Sequence, residues 1–131
     1  VLTCIGKASR SYDAFAAADA FAIHVLGAEQ KALSATFASR AEDKFAGVDW
    51  MRGPDGAPVL PGCLARFDCV LHQRIEAGDH LVLIGRVVAL ERTTGTPLGY
   101  FAGNYVDFAV QRESAGGGRA QDPGSALRVW H

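Results

Sequence analysis

Alternating apolar and polar residues run along most of the chain and predict a structure built mainly from β-strands. The apolar segment from Val1 to Ile5 predicts a first strand, and the alternation from Ala20 to Leu26 predicts a second. A longer alternation runs from Leu64 to Ile75. In this third strand we expect Phe67, Cys69, Leu71 and Ile75 to point inward and Arg66, Asp68, His72 and Arg74 to point outward.

The segment from Leu81 to Leu90 is apolar at both odd and even positions. That pattern predicts a strand that is covered on both faces. Gly85 in its middle predicts a bulge or a close approach by another group. Short strands at Gly99 to Phe101 and Asn104 to Ala109 are expected to finish the sheet.

Two segments have the features of helices. Ser11 is expected to cap a short helix. Between Glu29 and Ser39, Leu33 and Phe37 lie four residues apart, which is the spacing of one helix face. The glycines and prolines between Gly47 and Gly62 predict a loop that holds only short β pieces.

Length and composition limit what the chain can be. Its 131 residues are enough for one domain with one core, because roughly two-thirds of the unfolded surface can be buried at this size. Apolar residues make up 49%, but no uninterrupted apolar stretch approaches the ~20 residues of a membrane helix, so we expect a soluble globular protein. The formal charge of -1 and the scattered arginines argue against nucleic-acid binding.

The three cysteines, Cys4, Cys63 and Cys69, form an odd and sparse set. None of their spacings fits a CxxC metal or redox motif, so we expect buried free thiols and no metal site. Free thiols favour a reducing, cytoplasmic location.

The candidate for ligand chemistry is the triplet Gly78-Asp79-His80, which lies where a polar turn leads into the apolar segment. The glycine supplies the turn, the aspartate can cap it, and the imidazole is left at the mouth of a strand, within reach of a small ligand. His24 and His72 are instead expected to be strand residues with hydrogen-bonded or solvated rings.

The triplet belongs to an ordered set of motifs that resembles the flavin reductase-like family. The resemblance covers the chain from Val1 to about Phe108. Each motif alone is weak, but their order and spacing make chance agreement improbable. The motifs include Lys7-Ala8-Ser9-Arg10-Ser11, Asp43-Lys44-Phe45-Ala46-Gly47-Val48, Gly78-Asp79-His80, Gly85-Arg86-Val87, and Pro97-Leu98 with Tyr100 and Tyr105.

The resemblance implies a mainly β fold, the FMN-binding split β-barrel, with short helical insertions. Periodicity alone favours a small barrel but does not decide between a barrel and a sandwich. We expect residues 1–110 to form the domain and residues 111–131 to form a C-terminal tail. The family is usually dimeric, and we expect Trp130 in the tail to contact a second subunit.

The resemblance also implies an NAD(P)H-dependent flavin reductase. Such an enzyme transfers a hydride from NADH or NADPH to FMN or FAD and supplies the reduced flavin to a partner monooxygenase. Hydride transfer is the chemistry of the cofactors, which agrees with the lack of a catalytic triad in the sequence. The alternatives are a non-catalytic flavin-binding split-barrel module and a structural dimer subunit.

Matching the family position by position assigns candidate cofactor-binding residues. Cationic and hydroxyl groups just past the first strand suit a flavin phosphate, a second lysine could neutralise a phosphate, and the following phenylalanine could form an apolar wall. The expected flavin residues are Lys7, Ser9, Arg10, Lys44 and Phe45, and the expected residues on the nicotinamide side are His80 and Tyr105.

One feature departs from the family pattern. The usual opening, a pair of strands and a Ser/Thr-rich segment before Pro-Pro-Leu, does not precede Val1. That opening contributes many backbone contacts to flavin in the family. We therefore expect that a preceding segment is missing and that a chain of this length binds flavin weakly.

Overall fold

The computed structural model describes residues 1–108 of the chain. In chain order the strands and helices are β1 (Leu2–Gly6), α1 (Tyr12–Ala17), β2 (Ala20–Val25), α2 (Lys31–Ala38), β3 (Met51–Arg52), β4 (Pro58–Val59), β5 (Ala65–Ala77), β6 (His80–Arg92), β7 (Gly99–Phe101) and β8 (Asn104–Val106). A single 3₁₀ turn, Ala28–Gln30, leads into α2. The strands and both helices predicted from the sequence are confirmed within these residues.

The centre of the structure is a curled antiparallel sheet with the strand order β1-β6-β5-β2, which forms half of a barrel. Strands β5 and β6 make a long hairpin whose two-residue loop is Gly78-Asp79. Gly78 has a φ of 60°, which a glycine adopts without steric cost and which a tight hairpin turn requires at this position. Strand β1 pairs only with the first half of β6.

The core lies between this sheet and α1. Its most buried side chains are Phe21, Cys69, Leu81 and Leu83, and Phe15 of α1 packs against them. Gly85 lies beside this cluster, and a Cβ there would come within 2.5 Å of the Phe21 ring. The close approach predicted at Gly85 is therefore confirmed.

The prediction that β6 is covered on both faces is wrong beyond Gly85. Val87, Val88 and Leu90 are 39%, 42% and 55% exposed. The register explains part of this exposure, because Val88 is an extra residue between the pairs that β6 makes with β5. An apolar surface is left open there.

The inward and outward assignment in β5 also needs correction at two residues. Asp68 was expected to point outward, but it is buried and its carboxylate is 3.0 Å from Arg66 Nε. Ile75 was expected to point inward, but it is 39% exposed. A register shift at His72 changes the phase of the alternation before Ile75.

Strands β7 and β8 form a separate hairpin and do not finish the main sheet as predicted. The hairpin is attached where Leu98 N–H donates to Leu26 O at 2.9 Å. Ser11 occupies the N-cap position of α1 as predicted, but its side chain makes no capping hydrogen bond. The predictions for Ala109, for the tail at 111–131 and for Trp130 lie outside the described residues.

The three cysteines are free thiols. Only Cys69 is buried, whereas Cys63 is partly buried and Cys4 is exposed, so the expectation of burial is wrong for Cys4. Across residues 1–108, no helix has the length and apolar character needed to cross a membrane.

Candidate functional site

An open cleft of about 510 Å³ lies beside α1 and the first half of β2. Its volume is within the range of sites that hold small molecules and cofactors. Apolar side chains form most of its lining, and Ser11 and Lys44 add polar groups. The apolar lining includes Ala14, Phe15, Phe21, Phe37, Phe45 and Ala57.

Phe45 forms a wall of the cleft that the surrounding contacts hold in place. Its ring centroid is 5.1 Å from that of Phe37, edge to face at 85°, and 5.1 Å from that of Trp50. The turn before it is fixed as well, since Asp43 Oδ1 accepts hydrogen bonds from Phe45 N–H at 2.9 Å and from Ala46 N–H at 3.2 Å. The wall is therefore preorganised.

Two cationic side chains are anchored by backbone carbonyls of α2 and of the segment that follows it. Lys44 Nζ donates to Phe37 O at 2.8 Å, and Arg10 Nη1 donates to Arg40 O at 2.7 Å. Each bond uses one of several donors, because an ammonium has three N–H groups and a guanidinium has five. Both side chains keep donors for an anionic group. Lys44 lines the cleft, and Arg10 directly precedes Ser11, which also lines it.

The turn that contains Lys7, Ser9 and Arg10 lies next to His80. Gly6 pairs with His80 in the sheet register, and Lys7 N–H donates to Asp79 O at 2.8 Å. The turn then leads to Ser11 at the cleft, and Ser9 Oγ accepts a hydrogen bond from Ser11 N–H at 3.2 Å. The structure therefore brings the basic turn and His80 together at one end of the sheet.

Lys7 is already paired within the chain. Its ammonium forms an exposed salt bridge with Glu76 of β5, and the hydrogen bond to this carboxylate raises the pKa of Lys7. Tyr12 of α1 lies against the same carboxylate, with its hydroxyl 3.5 Å from Glu76 Oε1. An anion that binds Lys7 would have to share it with Glu76.

Tyr105 lies in a different part of the structure. Its ring packs edge to face on Tyr100 at 5.2 Å, and Lys31 Nζ lies 5.2 Å from its centroid. Both tyrosines line a second cleft of about 500 Å³ against α2. Strand β7 begins beside Leu26, which follows the end of β2 that pairs with the start of β5.

Neither of these two clefts is lined by both Tyr105 and His80.

Sequence reasoning missed part of the cleft. Phe15, Phe21 and Ala57 line it, but their apolar character was indistinguishable from that of core residues. The contact of Asp79 with the His80 ring was missed too, although their adjacency was a signal.

An aromatic and aliphatic cleft with cationic groups nearby suits a planar ring that carries an anionic tail.

The curled sheet and its flanking cleft define the split β-barrel class, which confirms the fold predicted from the sequence. Residues 1–109 match the family described as flavin reductase like domain. The chain belongs to this family.

Two relatives illustrate the similarity in sequence. The chain is 47% identical over 105 residues to a probable flavin reductase from Rhizobium meliloti (strain 1021), covering 80% of this chain and 34% of that protein. It is 44% identical over 106 residues to the flavin-dependent monooxygenase reductase subunit HsaB from Rhodococcus jostii (strain RHA1), covering 80% of this chain and 54% of that protein. The chain thus spans about a third to a half of these relatives.

Solved structures show the same relationship. The NADH:FAD oxidoreductase SgcE6 from Streptomyces globisporus C-1027 superposes with a TM-score of 0.78 at 32% identity. The match covers 85% of this chain and 69% of that structure.

Proposed function

We propose that this protein is an NAD(P)H:flavin oxidoreductase that reduces FMN or FAD and supplies the reduced flavin to a partner monooxygenase. Membership in the flavin reductase family supports the reaction class, and the names of the relatives support the monooxygenase partner. The observation that carries the proposal is the apolar cleft with anchored cations nearby, since its chemistry fits a planar flavin ring and a phosphate.

In this proposal the flavin ring lies against Phe45 in the cleft. Lys44 and Arg10 contribute cationic donors to the phosphate, and Ser9 contributes a hydroxyl. Lys7 adds positive charge at the same turn, although its ion pair with Glu76 reduces what it offers. The residues present therefore fit the cofactor.

The bound flavin would supply the hydride-accepting ring, and the chain would supply position and environment. The apolar walls, Phe45 among them, would exclude water from the ring. His80, which pairs with Gly6 where the turn toward the cleft begins, is assigned to the nicotinamide side. None of these roles requires a protein group to form a covalent bond.

We further propose that the functional unit is a homodimer. The resemblance also assigns Tyr105 to the nicotinamide side, yet neither cleft described above is lined by both Tyr105 and His80. A site that takes one of these residues from each protomer would use both.

A cytoplasmic location is also proposed. The free thiols of Cys4, Cys63 and Cys69 are compatible with a reducing compartment. Recovery of the protein in the cytosolic fraction of its source cells would support this location, and recovery elsewhere would contradict it.

The test of the reaction is the decay of NADH or NADPH absorbance when FMN or FAD is added with catalytic amounts of protein. We expect turnover with at least one combination of a nicotinamide dinucleotide and a flavin. No turnover together with measurable flavin binding would contradict the enzyme and favour a non-catalytic flavin-binding module. No turnover together with co-purification of a larger oxygenase would favour a structural subunit.

Lys44→Gln provides the matched site variant. Glutamine retains a donor for Phe37 O but loses the charge, so we expect the flavin Michaelis constant to rise about fivefold to tenfold, the effect of about 1 kcal/mol. Lys31→Gln removes the same charge beside the second cleft and serves as the control. An equal rise of the flavin Michaelis constant in the two variants would argue against flavin binding at Lys44.

A further inference from the structure

The turn of the β5–β6 hairpin places a carboxylate directly on the His80 ring. Asp79 Oδ1 lies 2.8 Å from His80 Nδ1. An ionised carboxylate has acceptor atoms only, so Nδ1 must carry the proton in this contact. In the neutral imidazole Nε2 is then left as an acceptor.

The backbone holds this arrangement from the side of β1. Lys7 N–H donates to Asp79 O at 2.8 Å, which fixes the peptide between the two side chains. Gly6 is the register partner of His80, and a Cβ at Gly6 would lie 3.6 Å from Nε2. The Nε2 edge therefore borders a position without a side chain, while the ring stays 48% exposed.

The neighbouring cation at this end of the sheet pairs with a different carboxylate, so the side-chain partner of Asp79 is the His80 imidazole. Lys7 pairs with Glu76 of β5, and Tyr12 of α1 lies on the same carboxylate. The hydrogen bond from His80 lowers the pKa of Asp79, so its carboxylate is ionised at neutral pH.

We propose that Asp79 is a positioning residue that fixes His80 in the Nδ1–H form, so that Nε2 accepts a hydrogen bond from an N–H group of the bound ligand. This inference rests on the proposed function, in which the ligand is the pyridine dinucleotide. The ligand group is then the primary amide of the nicotinamide ring, because its N–H₂ is the donor closest to the reacting carbon. His80 recognises this amide as an acceptor.

The first experiment measures the tautomer directly and does not depend on activity. The ¹⁵N shifts of the His80 ring, assigned by comparison with His80→Gln, are recorded above pH 8 in the wild type, Asp79→Asn and Asp79→Ala. We expect the Nδ1–H form in the wild type and a shift toward the Nε2–H form in both variants, since asparagine can donate to Nδ1 and alanine offers no acceptor. Asp13→Asn, an exposed change of the same charge in α1, should keep the wild-type ratio.

A wild-type ring in the Nε2–H form would overturn the positioning role. So would an unchanged tautomer ratio in both Asp79 variants.

The second experiment measures recognition of the amide. NAD⁺ and its 3-acetylpyridine analogue, whose methyl ketone has no N–H donor, are titrated while the His80 ring signals are followed. We expect the wild type to prefer NAD⁺ by about threefold to tenfold, which is the range of one hydrogen bond, and Asp79→Asn to lose most of this preference. If the first experiment shows the tautomer shift in Asp79→Asn, but this variant prefers NAD⁺ over the analogue as strongly as the wild type does, amide recognition by His80 is refuted.

Failure of the proposed function is distinguishable from failure of this inference. A wild-type protein that oxidises no NADH in the presence of flavin refutes the reductase, whereas the tautomer measurement still decides the role of Asp79.

Discussion

His24 lies in β2 and holds the loop that leads from β4 to β5. Its Nε2 accepts a hydrogen bond from Leu60 N–H at 3.2 Å. The sequence predicted a hydrogen-bonded or solvated strand histidine, and the hydrogen bond is confirmed. Burial lowers the pKa of His24, and the positive charge of Arg66 lowers it further, with a smaller opposing effect of Asp68. The neutral ring is therefore the form that the fold prefers.

This preference predicts how stability depends on pH. A lowered pKa in the folded state means that the unfolded chain binds the proton first, so stability is full above the ordinary histidine pKa of about 6.5 and falls as the pH decreases below it. Losing the acceptor at Nε2 should cost about 1 kcal/mol. Urea unfolding at pH 8 and pH 5 measures the difference.

His24→Gln keeps a side-chain acceptor but does not titrate, so it should reduce the loss of stability at pH 5. His72→Gln replaces an exposed imidazole of the same sheet and should retain the wild-type loss. If the free energy of unfolding depends on pH equally in the wild type and His24→Gln, His24 is not the cause of the loss of stability at pH 5.

At the scale of single elements, the β5–β6 hairpin depends on a glycine in the middle of a strand. A Cβ at Gly85 would lie 2.5 Å from Phe21 Cζ and 2.9 Å from Cys69 Cβ. Neither neighbour has room to withdraw, because both belong to the buried core. The site therefore excludes a side chain for packing reasons.

Gly85→Ala should lower the free energy of unfolding by about 1–3 kcal/mol, as overpacking of a core does. Gly6→Ala is the matched control, since its Cβ would make only an ordinary 3.6 Å contact with the His80 ring. Adding Phe21→Leu to Gly85→Ala should recover part of the loss, which a double-mutant cycle in urea would detect. An effect of Gly85→Ala no larger than that of Gly6→Ala would contradict the packing argument.

At the scale of the whole molecule, the proposed homodimer predicts self-association, which a charge at an exposed apolar position can test. Leu90 is 55% exposed beside Val87 and Val88. A charge in such a surface would have to be desolvated on association, so Leu90→Asp should weaken a dimer by at least tenfold. Sedimentation velocity across a dilution series measures the dissociation constant.

Met51→Asp is the control for the dimer experiment, because Met51 is 59% exposed on the separate β3–β4 ribbon. It should leave the association unchanged. A wild-type protein that remains monomeric at high concentration would contradict the homodimer.

Local patterns predicted much of this molecule. Alternation located the strands, helical spacing located α2, and the motifs at Lys7 to Arg10 and Gly78 to His80 marked two regions that the fold brings together. These features depend on neighbours in sequence, because side-chain period and turn chemistry are properties of a few consecutive residues.

Other features are decided only by the tertiary structure. The register shifts at Val88 and His72, the burial of Asp68 beside Arg66, and the placement of Tyr105 against α2 arise from contacts between distant segments. A one-residue change of register reverses the face of every side chain that follows, and no local pattern contains that information. The sequence by itself therefore determined which elements form and which residues carry candidate chemistry, whereas the pairing of strands decided which of those residues meet.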